Sequence, residues 1–336
     1  MATLKPAYRL TLGSTTIDSG AVLSAGPVLT LRADADLAAP AAALDAWLGN
    51  PQGISVVPGD AAKLEAGYDT SLTTVFTGTV ERVQPDLAQL HIQALSDVMH
   101  LLRLRINQVY DHQTAGQIVS DLAGQAGIST GTIQDGLDLP FYMVDDARQA
   151  YHHCRDLAER SGFDLYTTPD GQLTFATFNK LTPDHVFTYA QDVLRLEVAT
   201  APQPVQRVEV WGESPASVEG VEAASWLTRD FSDALGAAGS GTTLRLSDPA
   251  IRTRDAAQAS AAGRLAVVTR RSTFGVAIVL GAAEVALGDA VTFLQTPDNR
   301  LSGVLQVKRV THAFSKTDGF TTRLELWGSG GGLGGL

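Results

Sequence analysis

The side chains best suited to chemistry are two histidines beside the only cysteine in the chain. His152, His153 and Cys154 are consecutive and lie in a segment with helical spacing. Neighbouring helix positions point about 100° apart, whereas zinc sites favour ligands one turn apart or across a short turn. We therefore expect Cys154 to face the core and one histidine to face solvent. The sequence predicts no metal or cofactor site here.

Several aspartates are the next candidates for chemistry. Asp145 and Asp146 could form an acid/base pair, but carboxylates before a helix more often cap its free amides and meet the positive end of its dipole. Asp60 and Asp289 each follow a glycine, where an aspartate commonly closes a turn onto backbone amides. No Gly-x-Ser-x-Gly, His-Glu-x-x-His, Cys-x-x-Cys or phosphate-loop motif occurs. The sequence therefore assigns no catalytic residue and favours a protein that is not an enzyme.

Composition limits the possible partners and the compartment. The chain has 36 acidic and 25 basic residues, a formal charge of −11, and no cluster of Lys and Arg, which disfavours sequence-specific binding to nucleic acid. A single cysteine cannot form an intrachain disulfide. The start of the chain lacks the pattern of a signal peptide, and no apolar run reaches membrane length. We expect a protein made in the cytoplasm, with no stable membrane insertion.

Two distant stretches look like copies of one β-unit. Residues 76–83 and 301–310 are each interpreted as a strand, a glycine-centred turn and a second strand, with Gly78 and Gly303 in the turns. A Gly-Asp-Ala lies upstream of each stretch, and an alternating strand follows each. Because the order of these features repeats, the sequence predicts one β-domain in duplicate.

Helical periodicity appears in four segments. An Ala-rich stretch predicts a short helix over residues 39–48, and residues 115–126 predict a second helix, with Thr114 as N-cap and Gly127 as C-cap. Further helices are predicted over residues 147–161 and 254–271. In addition, Pro169-Asp170-Gly171 between two alternating runs predicts a β-hairpin.

These elements predict a mainly β protein with an α+β insert. The expected division is a first β-barrel domain over 1–98, an α+β insert over 99–182, a second β-barrel domain over 183–328 that includes an Ala-rich helix, and a flexible Gly-rich tail over 329–336. Residues 212–241 lack periodicity and are expected to form a long loop.

The order of these motifs resembles the late-control D family of phage baseplate hubs and the N-terminal part of VgrG spike proteins. The resemblance spans residues 10–327, and the order of the motifs is more specific than any one of them. The motifs that carry it are Phe76-Thr-Gly-Thr-Val80, residues 118–128, 142–148 and 157–163, and Gly288-Asp289-Ala290.

This resemblance implies a structural protein of a contractile injection system or phage tail. The family forms a homotrimer in which each chain contributes two tail-tube-like β-barrels, so that a threefold hub gains near-sixfold symmetry and joins a hexameric inner tube to a trimeric spike. The implied partners are the tube or tube-initiator protein, the spike and other baseplate proteins. No oligonucleotide/oligosaccharide-type barrel or β-helix follows the second β-domain, so the spike is expected to be a separate chain in the assembled particle.

An enzyme is the alternative hypothesis from another class. Cell-wall glycan hydrolases occur at tail tips and work through pairs of acidic side chains, and the acidic composition agrees with such an activity. The sequence leaves open whether the particle is a phage, a bacteriocin, an extracellular injection system or a type VI apparatus. It also leaves open the cargo and the barrel faces that line the lumen.

Overall fold

The first β-domain is built from seven antiparallel strands in the computed structural model, which describes residues 5–19, 27–49, 53–212 and 235–329. These strands are β1 (Pro6–Leu12), β2 (Thr15–Asp18), β3 (Val28–Asp36), β4 (Ala43–Gly49), β5 (Ala61–Tyr68), β6 (Ser71–Pro85) and β7 (Gln89–Leu95). Hydrogen bonding arranges them in the order β3-β4-β7-β6-β5-β1-β2. Their apolar side chains alternate along each strand and form one core on the inner face.

A small α+β insert follows the first β-domain, as predicted. Its elements are α1 (Met99–Arg103), β8 (Gln108–Thr114), α2 (Ala115–Gln125), β9 (Thr130–Ile133), β10 (Asp138–Val144), α3 (Ala150–Ser161), β11 (Asp164–Thr167) and β12 (Leu173–Ala176). Thr114 caps α2 through a capping box with Gln117, and Gly127 follows the helix with φ +71°. The predicted hairpin at 169–171 joins the antiparallel pair β11 and β12.

The second β-domain contains the remaining strands of the main sheet. The elements after the insert are β13 (His185–Thr188), β14 (Val193–Thr200), β15 (Arg207–Trp211), β16 (Leu235–Gly239), β17 (Thr243–Ser247), α4 (Arg254–Arg271), β18 (Thr273–Leu280), β19 (Ala290–Leu294), a 3₁₀ turn (Asn299–Leu301), β20 (Leu305–Ser315) and β21 (Gly319–Gly328). Strands β14, β18, β21 and β20 lie side by side, and β20 pairs with β3. One continuous sheet therefore runs through both β-domains.

Three apolar cores stabilise the chain, one in each β-domain and one in the insert. The core of the insert also contains side chains from β15 and α4, including Val208, Val210, Ala257 and Ala261. Residues 205–211 and 235–265 thus contribute side chains to the core of the insert. The domain boundaries at 98, 182 and 328 remain predictions. No helix in the described parts of the chain is long and apolar enough to cross a membrane.

Two predicted elements have a different secondary structure in the folded chain. The predicted helix over 39–48 is wrong, because residues 43–49 form β4, in which Leu44, Ala46 and Leu48 are buried while Trp47 is exposed. The predicted loop over 212–241 is wrong at its end, where β16 pairs with β15. Residues 213–234 and the Gly-rich tail from 330 lie outside the described residues.

The glycine-centred hairpins are also corrected. Residues 76–83 lie inside the continuous strand β6, and Gly303 precedes β20 with φ +152° instead of joining two strands. Gly78 allows the main chains of β6 and β7 to lie close together, because a Cβ at this position would lie 2.2 Å from the carbonyl oxygen of Leu95 on β7. A glycine in a strand and a glycine in a turn leave the same local sequence pattern.

The glycine at position 78 provides a test of this packing. We expect Gly78→Ala to lower the free energy of unfolding by about 1–3 kcal/mol, because the methyl group must displace the main chain of β7. Gly124→Ala is the matched control, since Gly124 lies in α2 and a methyl group added there would have no neighbouring atom within 4 Å. There we expect a gain of about 0.5–1 kcal/mol. Chemical denaturation measures both, and equal stabilities would contradict the assigned contact.

Candidate functional site

The histidine and cysteine cluster lies on α3 and is a packing feature. Cys154 is completely buried, as predicted, and burial raises the pKa of its thiol to about 12. His153 is also buried, with Nδ1 3.4 Å from the Tyr142 hydroxyl and Nε2 3.2 Å from the carbonyl oxygen of Asp145. His152 is half-buried. Within the described residues, no group of three or more His, Cys, Asp or Glu side chains is arranged to hold a metal ion.

The candidate aspartates accept hydrogen bonds from the main chain. Oδ2 of Asp60 accepts from the amide of Val57 at 2.9 Å, and Oδ2 of Asp289 accepts from the amide of Ala286 at 2.8 Å. The turn-forming role predicted for both is confirmed. Asp145 accepts from the amide of Ala147 at 3.0 Å, but α3 begins only at Ala150, so Asp145 closes a turn before the helix and does not cap it.

The two Gly-Asp turns, defined as Gly59-Asp60 and Gly288-Asp289, are held in the same way. The amide of Gly59 donates to the carbonyl of Val80 and the amide of Val80 donates to the carbonyl of Asp60, both at 2.8 Å. In the second domain, Gly288 donates to Val307 at 3.0 Å and Val307 donates to Asp289 at 2.8 Å. Val80 of β6 and Val307 of β20 are therefore structural counterparts.

Two β-bulges extend this correspondence. The β6–β7 ladder shifts register between Val80 and Arg82, and the β20–β21 ladder shifts between Val307 and Arg309. A second pair of register shifts lies in the β3–β4 ladder and the β14–β18 ladder. Bulges add a residue to one strand at a defined position and so mark equivalent sites.

The strands β3 and β14 are counterparts by the same evidence. The β3–β4 ladder shifts between Val28 and Thr30, and the β14–β18 ladder shifts between Val193 and Arg195. Both strands begin with the letters Val-Leu-x-Leu, over residues 28–31 and 193–196. This repeat is visible in the sequence but is not among the predicted motifs, because it is short and its two copies are far apart.

The candidate functional site is the joint between the two β-domains, defined as the paired strands β3 and β20. The strands are antiparallel, and their register runs from Arg309 opposite Asp36 to Ser315 opposite Thr30. A main-chain bond from the amide of Leu37 to the carbonyl of Lys308, 2.9 Å long, continues the contact beyond β3. The main chain therefore fixes how one domain lies against the other.

An ion cluster covers one end of this joint. The Arg309 guanidinium donates to both carboxylate oxygens of Asp34, at 3.1 and 2.9 Å. Nζ of Lys308 lies 3.3 Å from Asp36 and 3.3 Å from Glu325. Burial alone would raise the pKa of Asp34, but the hydrogen bonds from Arg309 and Thr311 and the charge of Arg309 outweigh it and lower the pKa. The carboxylate is thus held in its charged form.

Aromatic side chains of the second domain complete the core of the first. Phe314 and Phe320 are buried in the first core, although they belong to β20 and β21. The ring of Phe314 lies 4.7 Å from that of Tyr8, and the ring of Phe320 lies 5.9 Å from that of Tyr68. Burying an aromatic side chain stabilises a contact by about 1.5–3 kcal/mol, so the two domains are not independent units.

The insert is attached to the same joint. The Arg155 guanidinium on α3 donates to the carbonyl of Leu37 at 2.8 Å, directly after β3. At the other side, the buried Arg270 at the end of α4 donates to Gln306 of β20 at 3.1 Å, and Gln306 donates to Asp164 of β11 at 2.6 Å. This arrangement can hold surfaces in a fixed geometry, which suits assembly.

Removing a charge from the joint tests the ion cluster. We expect Asp34→Asn to lower the free energy of unfolding by about 1.5–3 kcal/mol, because Arg309 loses its charged acceptor in a half-buried place. The control is Glu159→Gln, whose side chain is 59% exposed in an ion pair with Arg155 and should change stability by no more than about 0.5 kcal/mol. Thermal and urea unfolding measure both, and similar values for the two variants would contradict the assignment.

The buried His312 of β20 predicts acid sensitivity. The Val285 carbonyl lies 3.1 Å from Nε2, and Nδ1 lies 3.0 Å from the Thr322 hydroxyl, whose oxygen accepts from the amide of Ala282. These partners suit a neutral ring that donates from Nε2 and accepts at Nδ1. Burial lowers the pKa of His312 from 6.5 to about 4.

The direction of the pH effect follows from this lowered pKa. Between pH 6.5 and 4 the histidine is protonated in the unfolded chain but neutral in the folded chain. Lowering the pH through this range therefore lowers the free energy of unfolding, by up to about 1.4 kcal/mol per pH unit. His312→Gln should remove this part of the pH dependence, whereas His112→Gln, at a side chain that is 80% exposed, should leave it in place. Urea unfolding at several pH values measures the slope, and an unchanged slope in His312→Gln would refute the role of this ring.

Comparisons with known proteins agree with this architecture. No protein-family model and no curated protein matches the sequence. Among solved structures, a 43 kDa tail protein of prophage MuSo2 from Shewanella oneidensis aligns at 13% identity with a TM-score of 0.70, over 96% of this chain and 98% of that protein. A tail protein from Neisseria meningitidis MC58 aligns at 14% identity with a TM-score of 0.70, over 96% of each chain.

A third similar structure comes from a secretion system. The E. coli c3393 protein, a component of the type VI secretion system with structural similarity to the T4 tail proteins gp27 and gp5, aligns at 11% identity with a TM-score of 0.59. The alignment covers 89% of this chain and 73% of that protein. At such identities the likeness is one of fold. This chain has the fold shared by these phage tail and type VI secretion proteins, in agreement with the resemblance that its motifs indicated.

Proposed function

We propose that this protein is the structural hub of a contractile tail or related injection particle. It forms a homotrimer whose six β-domains give near-sixfold symmetry, and it joins a hexameric inner tube to a trimeric spike. The single observation that carries this proposal is the internal repeat: two β-domains with matching Gly-Asp turns and bulges lie edge to edge in one sheet.

Symmetry gives the physical reason for such a repeat. A ring of six subunits and a spike of three subunits present different numbers of equivalent surfaces to each other. Three copies of a chain with two alike domains offer six similar surfaces on one side while remaining threefold as a whole. The β3–β20 joint supports this idea, since it fixes the two β-domains edge to edge within one sheet.

The comparisons support the same function. The two tail proteins match this chain over almost their entire lengths, so the shared fold includes both β-domains and the insert. Because both belong to phage or phage-like tails, the likeness agrees with a place in a particle, where the tube protein, the spike and other baseplate proteins would be the partners. Assembly would follow synthesis in the cytoplasm.

A structural role also agrees with the placement of the acidic side chains. Asp60 and Asp289, two of the aspartates considered as catalytic carboxylates, each accept a hydrogen bond from a main-chain amide in their turns, and Asp289 also contacts His185 and Lys180. The rival hypothesis of a cell-wall glycan hydrolase has no comparable geometric support in the described residues. Loss of turbidity of purified cell walls on addition of the protein would revive it.

The mass of the purified protein in solution tests the proposal. We expect light scattering to give about three times the chain mass of 35.4 kDa, and negative-stain images of the same peak to show a central channel with a near-sixfold outline. The tube protein and the spike protein of the same particle should each bind this trimer. A monomer at all concentrations, in the presence as well as the absence of these proteins, would refute the homotrimeric hub.

A further inference from the structure

Strand β14 has one edge without a strand partner. It pairs with β18 on one side, and no strand of the described residues pairs with its other side. The 3₁₀ turn at Asn299–Leu301 approaches this strand but makes no main-chain hydrogen bond to it among the described residues. Leu194 of β14 is 59% exposed. An open edge of this kind is a template for pairing with another chain.

Strand β6 has a second open edge. It pairs with β5 from Ser71 to Thr79 and with β7 from Thr79 to Pro85. On the β5 side, the segment after Thr79 has no strand partner in the part of the chain that the structure describes. Arg82, Gln84 and Pro85 are exposed. Each β-domain therefore contributes one open edge.

These two open edges are the counterparts of the two edges that already pair inside the chain. Strand β14 corresponds to β3, and the end of β6 corresponds to β20, by the turns and bulges described above. Strands β3 and β20 pair with each other. The chain thus contains one complete joint and the two separate halves of a second joint, one at β14 in the second β-domain and one at the end of β6 in the first.

We infer that the open edge of β14 in one copy pairs with the end of β6 in the next copy, so that three copies close a ring through three such contacts. This inference rests on the proposed homotrimer and names its interface. Transferring the register of β3 and β20 places Val83 opposite Thr200, and Gln84 opposite Ala199. The new ladder is antiparallel, as in the joint within the chain.

The main-chain groups of both edges point in the required direction. The amide of Asp86 donates to the carbonyl of Gln89, so the main-chain groups of Asp86 face β7. Main-chain N–H and C=O groups alternate in direction along a strand, and those of Val83 and Pro85 therefore face away from β7. The amide of Ala201 donates to the carbonyl of Ser272, which directly precedes β18. The main-chain groups of the neighbouring Thr200 therefore face away from β18. Pro85 lacks an N–H and ends the ladder after a few residues.

Apolar side chains flank the proposed ladder. Leu87, in the turn after β6, is fully exposed and is the counterpart of Phe314, which fills the first core inside the chain. In the next copy, Leu194, Tyr189 and Leu294 are exposed near the start of β14, at 59%, 47% and 48%. Covering these side chains would supply hydrophobic stabilisation in the same place as in the joint within the chain.

The charges of the two joints differ. The joint within the chain pairs Lys308 and Arg309 with Asp34 and Asp36. By the transferred register, the β6 counterparts of the two basic residues are Glu81 and Arg82, and the β14 counterparts of the two aspartates are Ala199 and Ala201. The contact between copies therefore has no equivalent of the ion cluster, so it is the weaker joint and depends little on salt.

Engineered disulfides test the register of this contact. Gln84 and Ala199 would form a non-hydrogen-bonded pair with Cα atoms about 4.5 Å apart, within the range of a disulfide. We expect the double variant Gln84→Cys/Ala199→Cys to form a covalent trimer under oxidised glutathione. A mixture of the two single variants should form a covalent dimer. Cys154 is completely buried and should not interfere.

The control variant Gln84→Cys/Val198→Cys should give no covalent trimer, because Val198 points to the opposite face of β14. A second variant, Val83→Pro, removes an outward N–H and should give a monomer that still unfolds cooperatively, at a lower temperature because Val83 also packs against the first core. A trimer by light scattering that forms no disulfide between residues 84 and 199, or that survives Val83→Pro, would overturn the inference while leaving the hub intact. A wild-type protein that stays monomeric at all concentrations, with and without the tube and spike proteins, would instead refute the proposed function.

Discussion

The pairing of β3 with β20 is the interaction on which the rest of the structure depends. It joins strands from opposite ends of the chain, so the sheet is continuous only when both β-domains have formed. The ion cluster around Asp34 and Arg309 and the aromatic contacts of Phe314 stabilise the same joint from its two faces. The insert packs behind it through Arg155. Main-chain hydrogen bonds set the geometry, and the side chains around them supply most of the stabilisation.

The two β-domains share the pairing of their main strands but differ in the strands and segments that pack beside them. Gly-Asp turns and bulges occur at matching positions, whereas the strand beside β5 is the antiparallel β1 and the strand beside β19 is the parallel β13. The second domain also contributes β15 and α4, whose side chains pack into the core of the insert. Shared strand pairing with different neighbouring segments suits a protein that presents similar surfaces on one side and different surfaces on another.

The sequence predicted those parts of the fold that depend on local signals. The N-cap at Thr114 and the hairpin at 169–171 follow from cap and turn chemistry, the helix over 254–271 follows from its periodicity, and all three are confirmed. The strand β4 was missed because its alanines suit a helix equally well, and only burial of alternate residues distinguishes the two. The joint was not predicted, since no local pattern indicates which strand edges meet. The Val-Leu-x-Leu repeat was the available signal for the counterpart strands.

The placement of Phe314 and Phe320 in the first core has a consequence for how the chain is made. During synthesis the N-terminal β-domain emerges early, but its core stays incomplete and the edge of β3 stays open until almost the whole chain has left the ribosome. Contacts between such distant residues form slowly. A chain that ends prematurely exposes apolar surface and an unpaired edge together, and these are the features that quality-control factors bind. Completion of the chain is thereby coupled to competence for assembly.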